Sequence, residues 1–426
     1  MRKTSSIFFL LSLIIILLLF LPGCWDRREI NELAFISSFA FDLEGDERIV
    51  TAEIIRPAAV AGGGEGGGGG SGAAALPQRA AIISSERGNT FYAAGRRLAL
   101  RLPRCAYVAH TTAVLVGEGL ARQGLTEVLD FLDRQQEFRR STFILVTRGP
   151  ARGILIRAQG GLETTLGREL TGLDKWVKVS GYGFIPSVHD VLLDLSGKAA
   201  ATAIPVLELS PQPLPPVVGG QASRSDASAR SGGQGVSGAA EPEIVRTVRL
   251  NGAGLFHHDK LVGWFDERQS RGLAWVKNKV RRAVLELRCA EDQKAVSVEI
   301  TEAKSETKFL MHNGRIQALI KVEVEGSLLE QQCFHDFTTE AAIKSLESQI
   351  ANIITEEINS AIAEAKKAGT DVFDFGGTLY RKEPKLWKQI APQWDEEFKK
   401  LPLTIQVKAK IRRTGLTGRP WQPRAD

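Results

Sequence analysis

The chain has 426 residues, which at roughly 150 per domain suggests two or three domains, and its 43% hydrophobic and 24% charged residues are ordinary for a globular protein. That composition argues against collagen-like, wholly disordered and disulfide-dense architectures. Lys plus Arg number 55 against 49 Asp plus Glu, a formal charge of +6 that points to an anionic partner, nucleic acid or a lipid surface.

The first residues bear on which. Arg2 and Lys3 precede an apolar run from Ile7 to Leu21 broken only by Ser12, the basic and apolar parts of an export signal. As a helix at about 1.5 Å per residue the run reaches roughly 22 Å, short of the ~30 Å hydrocarbon core, so an export signal is favoured over a permanent span. The run ends in Leu21-Pro22-Gly23-Cys24, which resembles a lipobox. In that pattern a small residue precedes a cysteine whose thiol takes a diacylglyceryl group. Residues 1–23 are then cut away as a signal peptide, and Cys24 becomes residue one. One acyl chain binds a bilayer only marginally, whereas two or three hold a protein there. No cofactor is expected beyond this covalent diacylglyceryl group and an N-acyl group such as palmitate on Cys24. Trp25 would sit at the interface, where an amphipathic indole is favoured. Of the remaining cysteines, Cys105, Cys289 and Cys333, three cannot all pair, and the sequence does not decide whether any two do. There is no CxxC, and six scattered histidines offer no zinc-type spacing, so no metal site is expected.

Leu33 to Asp42 and Arg48 to Arg56 flank the turn signal Glu44-Gly45-Asp46 and read as a hairpin. The Gly-rich run 62–72 lacks the Walker lysine and reads as a flexible loop. Short β-like runs (Ala81 to Ser84, Thr112 to Gly117, Thr142 to Thr147) then alternate with helical stretches (Asn89 to Leu102, Gly119 to Arg134, Gly161 to Val179), an α/β arrangement. Pro211, Pro213, Pro215 and Pro216 open a stretch to about residue 240 of Gly, Ser, Ala, Arg and Gln. It cannot bury enough apolar surface to offset its ordering entropy and reads as a linker or long loop. The expected division is therefore 24–210, a linker at 211–240, and 241–426.

The second half opens with β-like Ile244 to Phe256 and Lys260 to Phe265 around His257-His258-Asp259. Neighbours in a hairpin point to opposite faces, so a turn is favoured there over a metal set. A helical piece around Glu267 to Val280 precedes strand-like Ala295 to Ala303 and Arg315 to Glu325. The longest helix signal follows: Ile343, Leu346, Ile350, Ile353, Ile354, Ile358, Ile362 and Ala365, closed by Lys366, Lys367 and Gly369. It reads as a face packed on a sheet. Ser305-Glu306-Thr307-Lys308 fits S-x-x-K but lies in a β-like stretch without the companion motifs, and Asp371 with Asp374 has no evident acid–base partner. Near the C-terminus Ile405, Val407, Ala409 and Ile411 alternate with Gln406, Lys408, Lys410 and Arg412, favouring a strand with one solvated face over a lipid-binding patch.

Gly23-Cys24-Trp25-Asp26-Arg27-Arg28-Glu29-Ile30 resembles the start of the mature Ger(x)C spore-germination lipoproteins, the C subunits of nutrient germinant receptors in endospore-forming bacteria. Leu261-Val262-Gly263-Trp264, Arg271-Gly272, Asp371-Val372-Phe373-Asp374-Phe375-Gly376, Trp387, Trp394 and Ile411-Arg412-Arg413-Thr414-Gly415 extend the resemblance over nearly the whole chain. It implies a multi-lobed α/β fold of two main domains with mixed sheets. It also implies a non-enzymatic subunit tethered by Cys24 to the outer face of the spore's inner membrane, acting with an A subunit and a transporter-like B subunit and with no nucleic acid. Trp25, Asp26, Arg27, Arg28, Glu29 and Ile30 would lie at the membrane or partner boundary, and no residue is assigned to ligand contact. The rival readings are an extracytoplasmic solute-binding lipoprotein, which requires two similar lobes around a cleft, and an exported hydrolase, for which nucleophile and metal motifs are missing.

Overall fold

The structure, a computed structural model, describes residues 11–13, 29–57, 80–158, 161–213, 244–289, 291–312, 315–337 and 339–413. Cys24 with Trp25 to Arg28, the glycine loop at 62–72, and residues 214–240 of the expected linker lie outside them.

The expected hairpin forms from β1 (Leu33–Glu44) and β2 (Glu47–Ile55), with Gly45 in the left-handed turn position at φ +60°. β3 (Ala81–Gly88) adds antiparallel to β2. On the other side of β1 lie β4 (Cys105–Tyr107), paired to its start, and β5 (Ala113–Gly117), paired further along; β6 (Phe143–Thr147) follows, all parallel. β7 (Ala201–Pro213) meets β6 at Val206 and is extended antiparallel by β8 (Ile244–His257) and β9 (Lys260–Phe265). The result is one nine-stranded mixed sheet in the order β3-β2-β1-β5-β6-β7-β8-β9.

Helices cover both faces. On one, α1 (Phe91–Ala99), α2 (Glu118–Gln123), α3 (Thr126–Arg134) and α6 (Val188–Ser196) bury Phe91, Leu98, Leu120, Val128, Leu132 and Val191 against Phe41, Val114, Ile144 and Val206. On the other, α4 (Arg152–Arg157) and α5 (Leu166–Ser180) bury Ile154, Leu155, Leu166 and Leu170 against Ala40, Leu115 and Leu145. A strand buried on both sides has no polar face to show, which is why β5 and β6 read as continuous apolar runs. The single helix expected over Gly119 to Arg134 is two helices. Gly124 adopts φ +146° and breaks the ladder between them.

The second lobe begins with α7 (Glu267–Val276) and has a four-stranded sheet, β10 (Ala283–Arg288), β11 (Ala295–His312), β12 (Arg315–Gln331) and β13 (Leu403–Arg413). β12 and β13 are parallel, which requires a crossover. α8 (Glu340–Ala368), α9 (Phe375–Lys382), α10 (Pro384–Ile390) and α11 (Trp394–Lys400) supply it. α8 follows the expected periodicity: Thr339 caps its start by accepting from Ala342 N, and Gly369 closes it at φ +69°. Its stripe of Leu346, Ile350, Ile354, Ile358 and Ile362 packs on the sheet, each buried side chain contributing about 1.5–3 kcal/mol. No helix among the described residues is long and apolar enough to cross a membrane. Cys289, beyond β10, and Cys333, beyond β12, form a disulfide with Cα atoms 6.6 Å apart, while Cys105 is exposed at the start of β4.

The lobes do not part at 211–240. Pro211 to Pro213 continue β7 and pair with Arg246 to Ile244, so the insert connects two strands of one sheet, and β8 and β9 complete the first lobe's sheet from beyond it. The prolines fit because β6 ends beside Leu207, which leaves the rest of β7 with a neighbour on one side only, a place where a missing N–H is tolerated. Ala201, Ala203, Ala253, Leu255 and Phe265 of β7 to β9 also join the core of the second lobe, with Leu273, Trp275 and Ile358. The two lobes thus share a wall.

Candidate functional site

The entry of the chain into the fold is its first point of interest. Ile30 is 75% exposed in a short 3-10 turn, Ile30–Glu32, where Glu32 N donates to Glu29 O at 3.0 Å before β1 starts. Of the expected boundary residues only Glu29 and Ile30 are described. Both are exposed, at the end of the sheet where β1 begins.

The motif residues of the second half gather at the wall between the lobes. Arg271 and Glu357 form a buried ion pair between α7 and α8, with Arg271 Nε 2.9 Å from Glu357 Oε2, and Trp275 Nε1 donates to the same carboxylate at 2.9 Å. The Arg271 guanidinium lies 5.2 Å from the Tyr182 ring of the first lobe. Gly272 allows the helices to close, since a Cβ there would overlap the Glu357 carbonyl oxygen. A Cβ at Gly263 would stand 3.2 Å from Ala368. The Asp371 carboxylate accepts from Phe375 N at 3.1 Å, Gly376 N at 2.7 Å and Trp394 Nε1 at 3.1 Å, fixing the turn from α8 into α9. Burial pushes Asp371 up to about 7 against the pull of these donors. Trp387 and Trp394 pack 5.3 Å apart beside Gly376, and Thr370 Oγ1 donates to Phe256 O of β8 at 2.7 Å. Asp374 sits in the left-handed region at φ +59° and pairs with Arg381 at 2.9 Å. Asp374 and Arg381 line the neighbouring cleft, and the other residues build the architecture of the wall.

Beside the wall lies a cleft of about 800 Å³ between α5 and α6 on one side and β11, α9 and the α7–β10 connection on the other. Several of its charges pair: Lys277 bridges the lobes to Asp194 at 3.2 Å, Arg381 meets Asp374 at 2.9 Å, and Lys382 meets Glu306 at 3.6 Å. Ser305 Oγ is buried there without a hydrogen-bond partner among the described residues. Ser305 and Lys308 lie on opposite faces of β11, and Lys308 pairs with Glu306 at 3.2 Å, so the S-x-x-K run places no lysine at the serine. The lobes flanking the cleft are unlike, nine strands against four with different orders. The solute-binding reading required them to be similar.

His257, His258 and Asp259 form the β8–β9 turn. The two rings do not point to opposite faces as expected: His258 takes φ +52°, which brings them within 4.4 Å. Asp259 is engaged as a cap of α3, accepting from Thr126 Oγ1 at 2.5 Å and Thr126 N at 3.3 Å. Among the described residues one further cluster, Cys289, Asp292 and Cys333, has metal-type donors, and its two sulfurs are bonded to each other. The basic side chains of β13 point outward as expected, but Lys408 and Lys410 stand opposite Glu323 and Glu325 of β12, and Arg412 bonds Glu325 at 2.5 Å.

Sequence reasoning missed Glu357, which organises the wall, and the contact by which Asp259 of the expected turn caps α3. A carboxylate in the middle of the apolar stripe of α8, three residues past Ile354, was the available signal for the first.

Two family models match the chain. One described as "Spore germination protein N-terminal domain" covers residues 26–209, and one described as "Spore germination B3/ GerAC like, C-terminal" covers 251–415. Spore germination protein KC of Bacillus subtilis (strain 168) is 29% identical over 428 residues, spanning 97% of this chain and 96% of the relative. Spore germination protein B3 of the same organism is 23% identical over 429 residues, spanning 98% and 100%. The crystal structure of the GerBC protein superposes with a TM-score of 0.50 at 17% identity, covering 88% of this chain and 96% of that one, and so shares the fold. With both lobes matched and relatives aligned from end to end, the chain belongs to the Ger(x)C family of spore germination proteins.

Proposed function

We propose that the protein is a non-enzymatic lipoprotein subunit of a spore germinant receptor, held through Cys24 on the outer face of the spore inner membrane and acting there with A and B subunits. The observation that carries this is the run Cys24-Trp25-Asp26-Arg27-Arg28-Glu29-Ile30, directly after a lipobox, in a chain whose relatives along its whole length are spore germination proteins. The geometry is compatible with a tether, because Ile30, six residues beyond Cys24, is exposed at the end of the sheet where β1 starts. Diacylglycerol on the thiol, with an acyl group on the new amino terminus, confines the protein to a surface and raises its effective concentration near membrane-embedded partners. The test is Cys24→Ala, followed by membrane partitioning and nutrient-triggered germination. The expected outcome is release from the membrane with loss of the germination response. Unchanged retention together with unchanged germination would sink the proposal.

A further inference from the structure

The nine-stranded sheet has two ends, and the chain enters at one of them. β4, β5 and β6 run parallel to β1, so the loops that precede them share the end occupied by Ile30. β2 finishes there and β3 begins there, with Ile55 opposite Ala81. Ala80 N in turn holds the segment before α5 by donating to Thr164 O at 3.2 Å. Six exposed residues crowd this end: Leu100, Arg101 and Arg104 between α1 and β4, Arg139 and Arg140 before β6, and Leu162 before α5. Leu100 is 87% and Leu162 100% exposed, and with Ile30 at 75% they are the most exposed large hydrophobic side chains among the described residues. Arg101 pairs with Glu86 and Arg140 with Asp133, whereas Arg104 and Arg139 form no ion pair among the described residues. Glu29, Glu32 and Glu137 are also exposed here, so the rim carries both signs, with the unpaired Arg104 and Arg139 set among three carboxylates.

We infer that this end of the sheet is the protein's lipid-facing surface, where arginines meet anionic headgroups and Leu100 and Leu162 enter the interface. The inference rests on the Cys24 anchor proposed above. Cys24 lies six residues before Ile30, a reach of at most about 20 Å even when fully extended, so the anchor keeps this end nearest the bilayer. Highly exposed apolar side chains with unpaired arginines near them can enter an anionic interface. The other basic surface, on β13, is opposed by Glu323 and Glu325 and belongs to the other lobe, so it lacks both the free charge and the tether.

The lipidated full chain, reconstituted on vesicles of phosphatidylglycerol and phosphatidylcholine, tests the surface directly. In a Cys105→Ser background, Leu162→Cys and Lys408→Cys are each labelled with an environment-sensitive dye and exposed to spin-labelled lipid. Quenching at position 162 and not at 408 is the expected result. If the chain partitions onto vesicles but both dyes stay equally unquenched, the surface is wrong and the anchor stands. If the chain fails to partition at all, the anchor is wrong and this inference falls with it. A second arm uses the Cys24→Ala chain, whose residual binding to phosphatidylglycerol vesicles is expected to drop about fivefold for each of Arg104→Gln and Arg139→Gln. Equal binding by these variants overturns the headgroup contacts.

Discussion

The two sheets of this protein solve the same problem in opposite ways. The nine-stranded sheet is covered on both faces, and its central strands show no alternation. The four-stranded sheet rests one face on α8 and leaves the other to water, and β10 alternates buried and exposed residue by residue. On that open face charges of both signs stand across from each other, as Glu323 does opposite Lys408. The first sheet is therefore held by burial on both sides. The second depends on one core face and on the wall it shares with the first.

Placing the same charge in both sheets is the sharpest way to break this contrast. Leu145→Asp, at a fully buried position, is expected to cost about 4 kcal/mol or more in urea unfolding, and Gln406→Asp on the open face to stay within about 0.5 kcal/mol. Equal costs would mean that the second sheet is covered in solution. Next in size is the wall. Glu357→Ala leaves Arg271 and the Trp275 indole without their buried acceptor and is expected to cost about 3–5 kcal/mol, with loss of cooperativity between the lobes as the sign that the wall has opened. Reduction of Cys289–Cys333, which closes a loop of 44 residues, is expected to lower stability by about 2–4 kcal/mol and to loosen the second lobe ahead of the first in hydrogen exchange. A probe of a different kind is pH. Folding retains a proton on Asp371 that the unfolded chain releases above about 3.8, so its contribution is full at low pH and is lost as pH rises to about 7. Asp371→Asn is expected to flatten that part of the stability profile, and an unchanged slope would assign it to another group.

Where burial follows a simple period, the sequence is easy to read. The β1–β2 hairpin, the apolar runs of β5 and β6, the stripe of α8 and the alternation of β13 all appear in the structure within a few residues of expectation. What escapes is set by residues distant in sequence. β7 is hidden by Pro205, Pro211 and Pro213, which argue against a strand until it is clear that Pro205 sits at a bulge and the others on an edge. α6 carries a local signal in Ser187 and Asp190, which make a reciprocal capping box, but its nine residues are too few for apolar periodicity to mark a helix. The break at Gly124 depends on Asp259, which occupies the space a Cβ would need. At the candidate site the motif residues are visible in the sequence, but their work is not. Arg271, Gly272, Asp371 and Gly376 could as well have lined a pocket, and only their partners Glu357 and Trp394 show that they bind helix to helix.

The pairing of β7 with β8 has a further consequence. Pro213 and Ile244 face each other across the ladder, so the thirty-residue segment between them closes a loop whose ends the sheet already holds together. Loop-closure entropy grows only with the logarithm of length, about 0.6 kcal/mol per doubling. The segment can therefore lengthen, shorten to a tight turn or carry an inserted epitope at little thermodynamic cost, which makes it a natural point for a label that leaves both lobes undisturbed.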